Sequence, residues 1–460
     1  MSEAKSVQQE NRMGTMPVNQ LLLSMSLPMM ASMLIQALYN IVDSMFVAQI
    51  NENALAAVSL AFPVQNLMIA VASGTGVGIN ALLSRSLGER KFDQANRSAM
   101  NGIFLAGCSF VAFALLGIFF AGLFFRVQTT DAEIVSYGVS YVRIITICSF
   151  GMYFQVCLEK LLQSTGKSFY SMITQGTGAI INIILDPILI FGLFGFPRLE
   201  TMGAAIATVT GQTVAAVLAL IFNLKKNTEL KFSFRGFKPE IPMIKRIYSV
   251  GFPSIIMISI SSVMNFGMNK ILLGFNSTAT VVFGVYYKLQ SFVFMPIMGL
   301  NSGMVPIIAY NYGARKRERI TKTIKLSVIY AVAIMLVGFL LFQLIPGTLL
   351  SIFNASEYLL EIGVPALRTI SFSFLFAGYC IVCSSVFQSL GHGFLSLMVS
   401  LIRQLVVLLP AAFVFSRLGG LNMVWYAFPL SELISLVLCT FFLSYMYKAE
   451  INRIPAAKGK

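Results

Sequence analysis

Long apolar segments dominate this chain, and their length restricts what it can fold into. A helix that crosses the hydrocarbon core of a membrane needs roughly 20 mostly apolar residues. Hydrophobic residues make up 57% of the 460 positions and charged residues 11%, against about 25% charged in soluble domains. We therefore predict an all-α integral membrane protein with twelve transmembrane helices, at residues 17–42, 53–80, 95–123, 133–157, 169–193, 202–223, 247–273, 279–308, 324–346, 358–383, 394–416 and 422–446.

The basic residues lie mainly in alternate loops between these segments. They cluster near residues 85–97, 225–246, 315–325 and 448–460, whereas the other loops hold little beyond Arg126, Arg198 and Arg417. Because Lys and Arg are enriched in cytoplasmic loops, both termini are predicted to be cytoplasmic in a multi-pass protein of the cell (inner) membrane. The net charge of +15 is explained by these loops, so we expect a lipid bilayer and no nucleic acid as partner.

Composition argues against enzymatic chemistry. The six cysteines lie in apolar runs and the chain has one histidine, so neither a disulfide framework nor a metal site is predicted. A membrane-embedded enzyme would need a soluble domain, a metal-type histidine cluster or a paired catalytic set, and none is visible. No phosphate-binding loop of the ATP-hydrolysing type is present. We expect no enzyme activity and no cofactor.

An internal repeat organises the chain. A shift of 225 residues aligns positions 28–169 with 253–394 without a gap, and it matches polar and glycine positions that hydrophobicity alone would not. The pairs include Pro28 with Pro253, Asn40 with Asn265, Gln65 with Gln290, Gly74 with Gly299 and Arg143 with Arg368. Two six-helix lobes with a site between them near the membrane midplane are predicted. The expected divisions are tail 1–16, N-lobe 17–223, linker 224–246, C-lobe 247–446 and tail 447–460.

Two apolar segments carry carboxylates. Asn182 and Asp186 lie one turn apart on one helix face, and Pro187 removes a backbone donor beside the acid. Asp43 lies at similar depth in the first span. Such a residue can be a structural partner, but an intramembrane carboxylate is costly and favours a functional site. Oxygen-rich surroundings suit either a proton or Na⁺.

A second set of residues lies on spans expected to line the cleft between the lobes. A packing role remains open for each of them, and for Glu432 a functional and a packing role are equally plausible. The predicted substrate-cavity residues are Gln36, Tyr39, Asn40, Met264, Tyr287, Lys288 and Glu432.

Four segments carry a resemblance to a known family. They are IVDSMFVAQI (41–50), SLGERK (86–91), NIILDPILIFG (182–192) and MGLNSGMVPIIAYNYGARKRE (298–318). In their order across two six-helix halves they resemble the multidrug and toxic compound extrusion (MATE) family, in particular its prokaryotic MepA-like branch.

The resemblance implies a twelve-helix, two-lobe antiporter that exports amphipathic cationic compounds in exchange for H⁺ or Na⁺. We expect the protein to function as a monomer. It assigns cation coupling to Asp43, Asn182 and Asp186, with Thr208 as the counterpart of a family threonine in the sixth helix. Na⁺ would then bind at Asp43 and Asp186. A flippase of lipid-linked oligosaccharide, which shares the wider superfamily shape, is the alternative, and it would need cationic residues in the cavity.

The loop charges predict the topology. In a variant whose native cysteines are replaced by serine, a cysteine at Thr129 should react with a membrane-impermeant maleimide added to intact cells. A cysteine at Lys238 should react only after permeabilisation. Labelling of the Lys238 position from outside would reverse the predicted orientation.

Overall fold

The computed structural model describes residues 10–232, 237–353 and 355–455, and within these ranges all regular secondary structure is helical. Parts of the predicted tails and linker (1–9, 233–236 and 456–460) lie outside the described residues. The helices are α1 Arg12–Thr15, α2 Val18–Ala48, α3 Glu52–Gly88, α4 Phe92–Gln128, α5 Ala132–Ile147, α6 Phe150–Ser164, α7 Ser168–Phe191, α8 Thr201–Lys226, α9 Ile241–Leu273, α10 Ser277–Gly313, α11 Arg317–Leu344, α12 Pro346–Ser351, α13 Glu357–Ser371, α14 Phe374–Ser389, α15 Gly393–Leu401, α16 Leu409–Val424 and α17 Ala427–Ala449. A π-helix, Ile402–Leu408, joins α15 to α16.

The number of membrane-spanning helices agrees with the prediction. Ten helices of the described chain are long and apolar enough to cross a membrane, and two bent pairs raise the number to twelve if each pair is one span. The pairs are α5 with α6, bent by 44°, and α13 with α14, bent by 49°. Periodicity and length do not show these bends, because each pair reads as one apolar run. The predicted all-α membrane fold is confirmed.

The repeat is visible in the local backbone. Asn51 and Asn276, 225 positions apart, accept hydrogen bonds from Ala54 N (2.6 Å) and Ala279 N (2.7 Å) and so cap α3 and α10 in the same way. The same spacing relates two further features of the loops. Arg90 and Arg315 both have positive φ (58° and 54°), and so do Gly166 and Gly391 (85° and 94°).

The two halves are in backbone contact at one end of the bundle, which we call the basic end. It is the end that carries loops 89–91, 165–167, 314–316 and 390–392. A Cβ atom at Gly88 would lie 2.0 Å from the carbonyl oxygen of Tyr310, and one at Gly313 would lie 2.2 Å from that of Arg85. Any larger residue at these two positions must push α3 and α10 apart.

The segment 10–16 ties the halves together at the same end, although the sequence predicted it as part of a tail. Asn11 donates from Nδ2 to the carbonyl oxygen of Thr165 (3.1 Å) in the first half. Asn311 donates to Met13 O (3.0 Å), and Arg319 donates to Met16 O (2.7 Å), in the second half. Met13 is fully buried. The basic end is therefore closed by both packing and hydrogen bonds.

Two alanine substitutions in α10 test this closure. Gly313→Ala should lower stability by about 1–3 kcal/mol, because the added methyl group overpacks the contact with α3. Gly284→Ala is the matched control, since its Cβ has no neighbour within 4 Å, and it should be neutral or stabilise by about 0.5–1 kcal/mol. Thermal unfolding in detergent would compare the two. Equal effects would show that the contact at Gly313 is not tight.

Candidate functional site

A polar cavity lies among helices of the first half. It has a volume of about 620 Å³, and all of its lining residues fall between Ser32 and Gln212, on α2, α3 and α5–α8. The sequence placed the site between the halves instead. Three of the predicted cavity residues, Gln36, Tyr39 and Asn40, line it. Asp43, Asn182 and Thr208 line it as well.

The carboxyl groups of Asp43 and Asp186 lie next to each other, close enough for each to act directly on the other. Asp186 is fully buried on α7, and Asp43 on α2 forms the cavity wall in front of it. Asp43 Oδ1 is buried and has no hydrogen-bond partner among the described residues. Two carboxylates in contact cannot both stay charged without compensation. The pair therefore needs a cation, either a proton or a metal ion, between or beside the two groups.

Asn182 links this pair to α8. Its side-chain amide lies 3.2 Å from the hydroxyl group of Thr208. In the amide orientation that satisfies both neighbours, Asn182 accepts from the Thr208 hydroxyl and donates to Asp186 Oδ2 at 3.1 Å. All four residues that the sequence analysis assigned to cation coupling thus lie in one cluster. Their oxygen atoms are ligands suited to a hard cation.

Two tyrosines flank the cluster. Tyr39 and Tyr141 lie close enough to Asp43 and Asp186 for both carboxyl groups to act electrostatically on the phenols. Gln65 donates from Nε2 to the hydroxyl oxygen of Tyr141 at 2.7 Å. The two tyrosines thus give the carboxyl pair a polar boundary on the cavity side.

Glu159 forms a second acidic group in the cavity wall, and the sequence analysis missed it. Its carboxylate accepts hydrogen bonds from Gln155 (3.0 Å), Thr174 (2.8 Å) and Gln175 (2.7 Å), and the residue is 3% exposed. The predicted span ended at residue 157, which left Glu159 in a loop. In the structure the bend after Ile147 lets α6 continue to Ser164. The sequence signal that could have revealed Glu159 is a carboxylate on an otherwise apolar helix face.

Lys160 is the one basic residue in the cavity wall. Its ammonium group donates to Gln163 Oε1 at 2.9 Å. It therefore makes no direct ion pair with Glu159, whose oxygens are occupied by neutral donors.

The predicted cavity residues of the second half lie elsewhere. Met264 is buried in the core, and Tyr287 lines a separate pocket of about 490 Å³ with Asn265. The Lys288 ammonium group lies 5.8 Å from the ring centre of Phe353. None of these side chains faces the larger cavity.

Glu432 is paired with a residue that the sequence analysis did not single out. Arg403, in the π-helix, donates from Nη1 to Glu432 Oε1 at 2.9 Å. The two side chains are only 25% and 12% exposed. Glu432 thus belongs to a buried ion pair within the second half and does not line the cavity.

Because the carboxyl pair needs a cation, we predict that cation binding stabilises the folded protein. A ligand present at 100 times its dissociation constant adds about 2.7 kcal/mol. The apparent Tm of the purified protein should rise with Na⁺ concentration if Na⁺ binds, or with falling pH near neutrality if a proton binds. Asp186→Asn should abolish that response, whereas Asp93→Asn, at an exposed position in the first turn of α4, should keep it. An unchanged response in Asp186→Asn would remove the pair as the binding site.

Comparisons with known proteins agree with this architecture. The profile of the MatE family matches residues 28–188 and again residues 253–414. The multidrug export protein MepA of Staphylococcus haemolyticus is 28% identical over 437 residues, which cover 94% of each chain. A protein of Shewanella oneidensis named FAD transporter is 26% identical over 432 residues, covering 92% of this chain and 94% of that one.

A solved structure shows the same fold. It is described as the outward-facing conformation of a multidrug resistance MATE family transporter, and it superposes with a TM-score of 0.90 at 24% identity. The superposition covers 97% of this chain and 99% of the other.

Proposed function

The chain belongs to the MatE family of membrane transporters, and we propose that it is a secondary active antiporter that exports amphipathic cationic compounds in exchange for H⁺ or Na⁺. It is a transporter and not an enzyme. The single observation that carries the proposal is the cavity whose wall holds Asp43 and Glu159, with Asp186 in contact with Asp43. The cavity and the coupling residues come from one chain, which supports action as a monomer.

The basic end is placed in the cytoplasm, because its loops carry most of the positive charge. The tight contacts at Gly88 and Gly313 and the hydrogen bonds of segment 10–16 then close the cytoplasmic side. In this conformation the cavity exchanges with the outside, where a substrate leaves and the coupling cation enters.

The carboxyl pair couples the cation to the conformation. Asp43 belongs to α2 and Asp186 to α7, so a bound cation holds these two helices together. Loss of the cation leaves two charged groups that repel each other and favour a separation of α2 from α7. Pro187 removes one backbone hydrogen bond directly beside Asp186, which makes this point of α7 easier to bend.

Movement of α2 is transmitted to the second half by close packing. A Cβ atom at Gly299 would lie 2.5 Å from Met30 N, and Ser26 donates its hydroxyl to Leu300 O at 3.2 Å. Because α2 and α10 contact each other through backbone atoms, a shift of α2 must move α10 or break this interface. A cation shifts such an equilibrium only through its different affinities for the two conformations, and the carboxyl pair supplies that difference.

The substrate class follows from the walls of the cavity. Met33, Phe62, Met68 and Tyr39 provide apolar and aromatic surface, and Glu159 provides negative charge. Glu159 bonds to Gln175, which lies eleven residues before Asp186 on α7, a distance of about 16 Å along the helix. A cationic compound can therefore interact with Glu159 while the coupling cation occupies the carboxyl pair.

The flippase alternative is disfavoured by the same walls. A lipid-linked oligosaccharide carries phosphate, and a cavity that binds it would present several basic residues. Lys160 is the one basic residue here, in a wall that also holds the acidic residues Asp43 and Glu159.

Transport by purified protein in liposomes tests the proposal. A fluorescent lipophilic cation should be exported when a pH or Na⁺ gradient is imposed, with the two gradients applied separately. Asp186→Asn should reduce gradient-driven export to background, because it keeps the shape of the side chain and removes the charge. Asp93→Asn should export at the wild-type rate. Wild-type export by Asp186→Asn under both gradients would contradict the coupling site.

A second variant separates substrate binding from coupling. Glu159→Gln should raise the dye concentration for half-maximal export about tenfold, since an interaction with a charged group contributes about 1.5 kcal/mol or more. The dependence of export on the gradient should persist. The matched control is an electroneutral dye of similar size, whose export should be unaffected. Equal effects on both dyes would assign Glu159 a structural role.

A further inference from the structure

The helices that carry Asp186 and Thr208 have counterparts in the second half, and these counterparts carry a different charged pair. The register of the repeat places Met268 at the position of Asp43. The second segment matched by the MatE profile is one residue longer than the first, so the position of Asp186 corresponds to Ala411 or Ala412. Neither acid of the first half therefore has an acidic counterpart at its own position.

The charged pair of the second half is Arg403 and Glu432. Arg403 corresponds to Thr177 or Gly178 on α7, and Gly178 belongs to the cavity wall. Glu432 lies on α17, the counterpart of α8. The pair therefore bridges the same two structural elements as the contact between Asn182 and Thr208 does in the first half. Its distance of 2.9 Å is that of a direct charge-assisted hydrogen bond.

Two further observations set this pair apart from ordinary packing. Arg403 lies in a π-helix, and local π-helical turns are frequent at functional sites. The second carboxylate oxygen, Oε2 of Glu432, is buried without a hydrogen-bond partner among the described residues, and the residue is 9% exposed. A buried carboxylate with a free oxygen has unused capacity to bind a cation.

We propose that the second half contains a cation site whose ligand is the protein's own guanidinium group. Glu432 supplies the carboxylate, and Arg403 occupies the place of an exchangeable cation. The second half then stays permanently in its cation-bound state, while the first half gains and loses its cation during transport. This inference rests on the proposed antiport mechanism. The ligands expected at the site are guanidinium and other monovalent cations.

Stability measurements test the pair without reference to transport. Arg403→Met and Glu432→Leu should each lower the apparent Tm, because each leaves one buried charge unpaired. The double variant should recover most of that loss, since apolar residues can replace a buried ion pair as a unit. Arg403→Lys keeps the cation and should stay close to the wild type. Additive losses in the double variant would contradict the pairing.

Chemical rescue tests the site itself. In Arg403→Ala, millimolar guanidinium should raise the apparent Tm more than equal concentrations of urea or choline chloride do. The wild type and Arg315→Ala, at an exposed position in the 314–316 loop, should show no such gain. If Arg403→Ala does not fold, Arg403→Gln serves for the same titration. No guanidinium-specific rescue in a folded variant would overturn the inference.

Transport then separates this inference from the proposed function. The Arg403→Met, Glu432→Leu double variant should export a cationic dye at the wild-type rate and with the wild-type dependence on the gradient, because the exchangeable site is intact. A folded double variant without gradient-driven export would show that the second half takes part in coupling. If Asp186→Asn also exported normally, the proposed coupling site would fail, whereas the stability and rescue results would still stand.

Discussion

The contact between the carboxyl groups of Asp43 and Asp186 is the interaction on which the working structure depends. Two such groups need a cation, because Asp186 is fully buried and their repulsion is poorly screened there. The groups belong to different helices, α2 and α7, so in the proposed mechanism the cation decides whether these helices stay together. Binding of one ion would thereby be linked to a displacement of whole helices. Asn182 and Thr208 extend the link to α8 and fix the orientation of Asp186.

In the proposed mechanism, the rest of the first half turns that displacement into selective transport. The cavity wall combines apolar and aromatic side chains with Glu159, which three neutral donors hold in place. Since the donors are neutral, the negative charge of Glu159 remains available to a cationic compound. The glycine contacts between α2 and α10 make the interface with the second half too tight for independent motion. The halves are therefore expected to move as packed bodies, with the segment 10–16 as an additional connection that must break when the basic end opens.

The two halves share a fold but differ in charge. Matching asparagine caps, positive-φ loop residues and glycine contacts at the basic end all follow the 225-residue repeat. The acidic residues do not follow it: the first half has a carboxyl pair open to a cavity, and the second has Arg403 paired with Glu432. An arginine cannot dissociate from its site as an ion does, so under our proposal the same architecture provides one exchangeable and one fixed cation. This asymmetry would limit ion exchange to one half.

The sequence by itself determined the membrane class, the twelve apolar segments, the repeat and the cluster of Asp43, Asn182, Asp186 and Thr208. They follow from segment length, from the cost of a charge inside the membrane and from the resemblance to a known family. None of these depends on how the helices pack. Only the tertiary structure decided where the cavity lies and which residues share it. Glu159 lies in the cavity wall because the bent helix pair continues past the predicted end of the span. Glu432 lies outside the cavity, in an ion pair with Arg403 of another helix. Such outcomes depend on which helix faces meet, and hydrophobic periodicity does not specify the partner of a face.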